Sequence, residues 1–167
     1  MVKFVRGLIP VLLVLNWMCA GGFALIILAS IVAEPAVSAH IVRRFGGEQL
    51  VLVLCSMRTV LLLGIVVACA AHVIFRRLAA IVATVAAGDP FVAANARRLR
   101  DIAWALLAIQ FLDLIYGLVV VPLSAATHEY FGWNFSLTGW LAVLLLFILS
   151  HVFAQGAAMR DDLQGMV

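Results

Sequence analysis

No charged residue interrupts the chain between Leu8 and Ala33, and that single apolar run decides most of what this sequence can fold into. About 20 predominantly apolar residues suffice to cross the hydrocarbon core of a bilayer as a helix. Three further runs have comparable length: Leu50–Phe75, Ile102–Ser124 and Leu137–Gln155. Together the four contain one arginine, Arg58, and one acid, Asp113. In hydrocarbon each backbone polar group must be satisfied internally, so runs of this kind are read as helices. Composition agrees, with 66% of the 167 residues hydrophobic, 11% charged and a mean hydropathy of +1.21. Soluble domains carry about 25% charged residues, and so few charges could not coat a globule of this size. The expected fold class is all-α: an integral membrane four-helix bundle, one domain over 1–167, with spans at roughly 8–33, 50–75, 102–124 and 137–155. The first run is far longer than the apolar region of a signal peptide, about 7–15 residues, and is read as an uncleaved span.

Lysine and arginine set the direction. Lys3, Arg6, Arg76, Arg77, Arg97, Arg98, Arg100 and Arg160 fall on one side of the spans, and only Arg43 and Arg44 on the other. The positive-inside rule then places both termini and the central loop of this multi-pass chain on the cytoplasmic side. The loop "AATHEYFGWNFS", aromatic and free of Lys and Arg, suits the outer interface.

Residues 76–101 form the cytoplasmic connector between spans two and three. "RRLAAIVATVAAG" has helical periodicity, so it either continues the second span or lies along the headgroups. Gly88 suits the left-handed position after a helix end, and Pro90 cannot continue that helix. Asp89 is expected to cap the next helix with Pro90 at its first position. That helix delivers Arg97, Arg98 and Arg100 to the membrane edge, either as anchors for anionic lipid or as a docking surface for a partner.

Ionisable groups at membrane depth are functional candidates with partners to be named. Arg58 and Asp113 lie at depths differing by only about 5 Å, so they either pair, as interhelical glue or as a relay in a small transporter, or do not meet and Arg58 snorkels outward. Asn16, Gln110 and Tyr116 could extend that network. His72 and His151 lie near the same ends of spans two and four and frame an alternative, a haem-binding redox subunit resembling four-span b-type cytochromes. The first span holds no histidine, and His40 and His128 fall in loops, which counts against haem. Cys19, Cys55 and Cys69 lack CxxC spacing and are read as small apolar residues. Ala20, Gly21, Gly22, Ala24, Gly64, Ala68 and Ala71 would let helices approach closely, within the bundle or in a homodimer. No hydrolase, nucleotide-binding or metal-ligating motif is present, so the expectation is a non-enzyme without catalytic residues, metal or resident cofactor.

The central "GDPF…N…RLRDIAW" and the terminal "LLLFILSHVFAQGAAMRDDL" resemble a bacterial family of uncharacterised four-span membrane proteins, a domain of unknown function. The most specific positions are Gly88, Pro90, Phe91, Asn95, Arg98 and Leu99, then Phe153, Gly156, Arg160 and Asp161. Where the family usually ends in Thr-Val, this chain has Met166-Val167. Members are often encoded beside a small Cro/CI-type helix-turn-helix regulator, which implies a membrane partner for a DNA-binding protein. On that reading Asp89, Pro90, Phe91, Asn95, Arg97, Arg98, Arg100, Arg160 and Asp161 form the partner-binding face. The connector is too short to hold a DNA-reading fold, so no direct nucleic-acid contact is expected.

Overall fold

The computed structural model of the chain is all-helical and describes residues 2–164, with side chains described from 6 to 160. Helix α1 spans Val2–Val32, α2 Glu34–Phe45, α3 Leu50–Ala86, α4 Ala93–Thr127 and α5 Leu137–Gln164. A 3-10 turn at Gly47–Gln49 leads from α2 into α3. Helices α1, α3, α4 and α5 are long and apolar enough to cross a membrane. Their surfaces say the same: Leu25, Leu118 and Leu145 are 68%, 77% and 63% exposed. Water would oppose leaving such side chains uncovered, whereas acyl chains solvate them at no cost. The chain is a multi-pass membrane protein on this reading.

The helices outrun the expected spans. The second and third apolar runs continue without a break through the arginines, so the helical connector is simply the ends of α3 and α4 joined by residues 87–92. Pro10 lies well inside α1, where it removes the bond its N–H would give to the Arg6 carbonyl. Helix α2 was not foreseen, although its ends carry ordinary helix signals. It has Glu34 and a proline in its first turn, Arg43 and Arg44 in its last turn, and Gly46 at φ 90° donating its N–H to the Val42 carbonyl. It is only 12 residues long, but Val37, Ile41 and Phe45 recur every four residues on its less exposed side, so a short apolar stripe was there to read.

Contacts divide the chain into two compact units, one of Met1–Asn16, Cys69–Gln110 and Ser136–Val167, the other of Trp17–Ala68 and Phe111–Phe135. In the second unit, Phe23 of α1 lies against Gly64 of α3, where a Cβ would come within 2.7 Å of the ring. Gly64 therefore serves close approach as expected, while Gly21 and Gly22 face open space. Trp133 lies over Gly117 and donates its indole N–H to the Asp113 carbonyl at 3.1 Å.

Of the arrangements open to Arg58, the structure has the one in which it bonds elsewhere than to Asp113. Its guanidinium donates to the Ser30 carbonyl at 2.9 Å, to the Ser30 hydroxyl at 3.3 Å and to Glu34 at 2.9 Å, not to Asp113. The Ser30 carbonyl belongs to the last turn of α1, whose acceptors have no partner within the helix. Arg58 thus caps α1, sits at the negative end of its dipole and ties down the first residue of α2. Equal depth places two residues at one height but does not turn them toward each other. Arg58→Met is expected to lower stability by about 1 kcal/mol, since Glu34 stays partly solvated. Thermal unfolding in detergent checks this, and Arg58→Lys should recover part of the loss.

Candidate functional site

The first unit carries most of the expected site residues at the α3–α4 turn. Helix α3 ends in a Schellman motif: the Gly88 N–H donates to the Val85 carbonyl and the Asp89 N–H to the Thr84 carbonyl. Gly88 stands at φ 84°, a left-handed conformation that costs glycine nothing, as expected from its place after the helix.

Beyond Gly88 the structure departs from the sequence reading. Helix α4 begins at Ala93, so Pro90 is not its first residue and Asp89 is not its cap. Asp89 instead forms an ion pair with Arg160 of α5, a partner 71 positions away that no local rule could reveal. The turn is held by Asn95, which is completely buried. Its amide donates to the Thr84 hydroxyl at 2.7 Å and to the Pro90 carbonyl at 2.9 Å, and its oxygen accepts from Arg98 at 2.8 Å. Arg98 also donates to the Ala80 carbonyl at 3.2 Å, and Arg77 pairs with Asp101 at 3.0 Å. Arg77 and Asp101 stand equally far on either side of Asp89, as do Ala80 and Arg98. That equidistance is the signature of an antiparallel helix pair and could have been read from the sequence. Thr84 and the Arg77–Asp101 pair are the members that sequence reasoning missed.

Phe91 packs its ring on Phe153 of α5, centroids 5.3 Å apart, yet remains 47% exposed. Arg97 and Arg100, three residues apart on α4, line a cavity of about 460 Å³ whose other wall is α5, with Phe147, Ser150 and His151. Both arginines are exposed, and neither has an ion-pair partner among the described residues. The Asp161 side chain lies outside the described residues. His151 contacts Gln155 one turn on, nitrogen to nitrogen at 3.2 Å, and His72 sits half-buried on α3.

Gln110 packs against Gly139 of α5, and Asn16 lies half-buried on α1. Tyr116 donates its hydroxyl to the Phe131 carbonyl at 3.3 Å, and Asp113 contributes its backbone carbonyl to Trp133. Among the described residues no cluster of three His, Cys, Asp or Glu side chains could hold a metal ion.

The family described as "Protein of unknown function (DUF2975)" matches residues 9–167. The chain belongs to it. No curated protein and no solved structure matches. In this DUF2975 chain the positions that carried the resemblance are those that build the turn: Gly88 ends α3, Asn95 and Arg98 bind the hairpin together, and Phe91, Phe153, Gly156 and Arg160 join it to α5. Most of them are structural.

Proposed function

We propose that this DUF2975 chain is a non-enzymatic regulatory or scaffold protein of the bacterial inner membrane. Both chain ends and the α3–α4 turn face the cytoplasm, a direction supported by the eight-to-two distribution of Lys and Arg. The turn and the neighbouring face of α5 dock a soluble partner with an acidic surface. A small helix-turn-helix regulator is the partner implied by the family resemblance.

One observation carries the reading. The acids near the turn, Asp89 and Asp101, are already paired with Arg160 and Arg77, while Arg97 and Arg100 are left exposed without an acid among the described residues. An acidic partner would supply the negative charge that the described residues do not. Phe91, half exposed beside them on a turn fixed by buried Asn95, supplies an apolar anchor that need not be ordered on binding. Fixing Arg98 inside the hairpin revises its role from contact to support.

The test co-expresses the chain with a small helix-turn-helix regulator of the kind the resemblance implies and measures that regulator in the membrane fraction. Arg97→Glu with Arg100→Glu is expected to reduce recruitment about tenfold or more, as like charges meet across the interface. Phe91→Ala should reduce it separately. Unchanged recruitment by the doubly reversed protein, still inserted at normal levels, would overturn the reading.

A further inference from the structure

The cavity between the start of α4 and the middle of α5 has the chemistry of a phosphate site. Two guanidiniums, Arg97 and Arg100, lie on one of its walls, and the His151 imidazole lies on the other. Among the described residues no carboxylate lines it. Arginines three apart on one helix would repel each other, and exposed guanidiniums with no acid beside them among the described residues favour an anion that accepts several N–H bonds at once. Phosphate oxygens meet that need, and the planar fork of arginine fits them better than a lysine ammonium would.

The rest of the wall is small. Ala93 and Ala96 of α4 face Ala154, Ala157 and Ala158 of α5, so the volume of about 460 Å³ exists because no large side chain fills it. Alanines at a close helix pair normally let the backbones touch. Here they leave a recess instead, roomy enough for a phosphate ester and the first atoms of what it carries. The site also stands where charge meets oil. Arg97 and Arg100 directly precede the apolar run from Ile102, and Phe147 lies on the apolar stretch of α5.

We infer that this cavity binds a phosphate ester, with Arg97 and Arg100 holding its oxygens, His151 opposite them and the alanine walls admitting the ester group. The phosphate can arrive on an anionic phospholipid headgroup or as a free ion. The inference goes beyond the docking reading, because a purified chain without any partner would show it.

The experiment uses the full chain, delipidated in a neutral detergent and titrated with phosphatidylglycerol, with phosphatidylcholine or with inorganic phosphate. Retained ligand is counted by native mass spectrometry. Phosphatidylglycerol is expected to bind about thirtyfold more tightly than phosphatidylcholine, since each of the two arginines adds about 1 kcal/mol toward an anionic headgroup. Arg97→Gln with Arg100→Gln should abolish that preference. So should Ala154→Phe, which fills the recess while keeping both arginines. Arg76→Gln, an exposed arginine away from the cavity, should leave it intact. Competition by millimolar inorganic phosphate assigns the site to the free ion, and its absence assigns it to the lipid. Equal binding of both lipids with no phosphate binding would overturn the inference. So would a loss in Arg76→Gln as large as in the cavity variants, or full binding by Ala154→Phe. Because no regulator is present, failure here is distinct from failure of recruitment.

Discussion

Replacing Asn95 by alanine is expected to destabilise the protein by about 3 kcal/mol, because buried partners left without hydrogen bonds lose about 1–3 kcal/mol each. The Pro90 carbonyl loses its donor, and the Thr84 hydroxyl loses the amide it accepts from. Arg98 loses one of its two acceptors. Asn95 is fully enclosed, so water cannot replace any bond that it makes itself. The apparent melting temperature in detergent should drop by about 8 °C, given roughly 2–4 °C per kcal/mol for a chain of this size. Asn95→Asp, which keeps the oxygen facing Arg98 but removes both N–H donors, should fall between the two. A change below about 1 °C in the alanine variant would mean that the turn is held by something other than this side chain. Asp89 makes a useful contrast. Its pair with Arg160 is partly exposed on both sides, and such pairs contribute at most about 1 kcal/mol.

Gly117→Ala is the second large effect, and its sign runs against helix propensity. Adding a methyl to a helical glycine ordinarily gains about 1 kcal/mol. At Gly117 the new Cβ would land against the fused centre of the Trp133 ring, nearer than non-bonded atoms approach. That ring cannot swing aside cheaply, because its N–H is bonded to the Asp113 carbonyl. Overpacking of this kind costs about 1–3 kcal/mol, and loss of the indole bond adds about 1 kcal/mol, so a net loss of about 2 kcal/mol is expected. Gly21→Ala meets nothing within 4 Å and should be neutral or stabilising. Thermal unfolding of the two variants side by side checks the argument. Equal behaviour would show that Trp133 is free to move.

Four long helices were legible because apolar runs of membrane length allow little else. The end of α3 was legible because Gly88 follows a periodic stretch and Pro90 follows it. Asp89 was misread for an instructive reason: Asp before Pro has a local use as a cap, but a basic partner on α5 competes for the same carboxylate and wins. Whether Arg58 meets Asp113 was left open because depth along a helix can be counted in residues, whereas the direction a side chain faces depends on how the helices pack. Arg97 and Arg100 were identified as a charged face, but the recess beside them was hidden, since a row of alanines reads equally well as close packing or as a gap. Helix α2 was missed because its apolar stripe, Val37, Ile41 and Phe45, is short and lies in a segment read as a loop between two spans.

The pairs placed symmetrically about Asp89 make the turn a register pin. One residue more or fewer between Gly88 and Ala93 would rotate α4 by about 100° about its own axis. Arg98 would lose Ala80, Asp101 would lose Arg77, and the two free arginines would swing away from α5. Chains that fold this way can exchange residues within the turn far more readily than they can change its length.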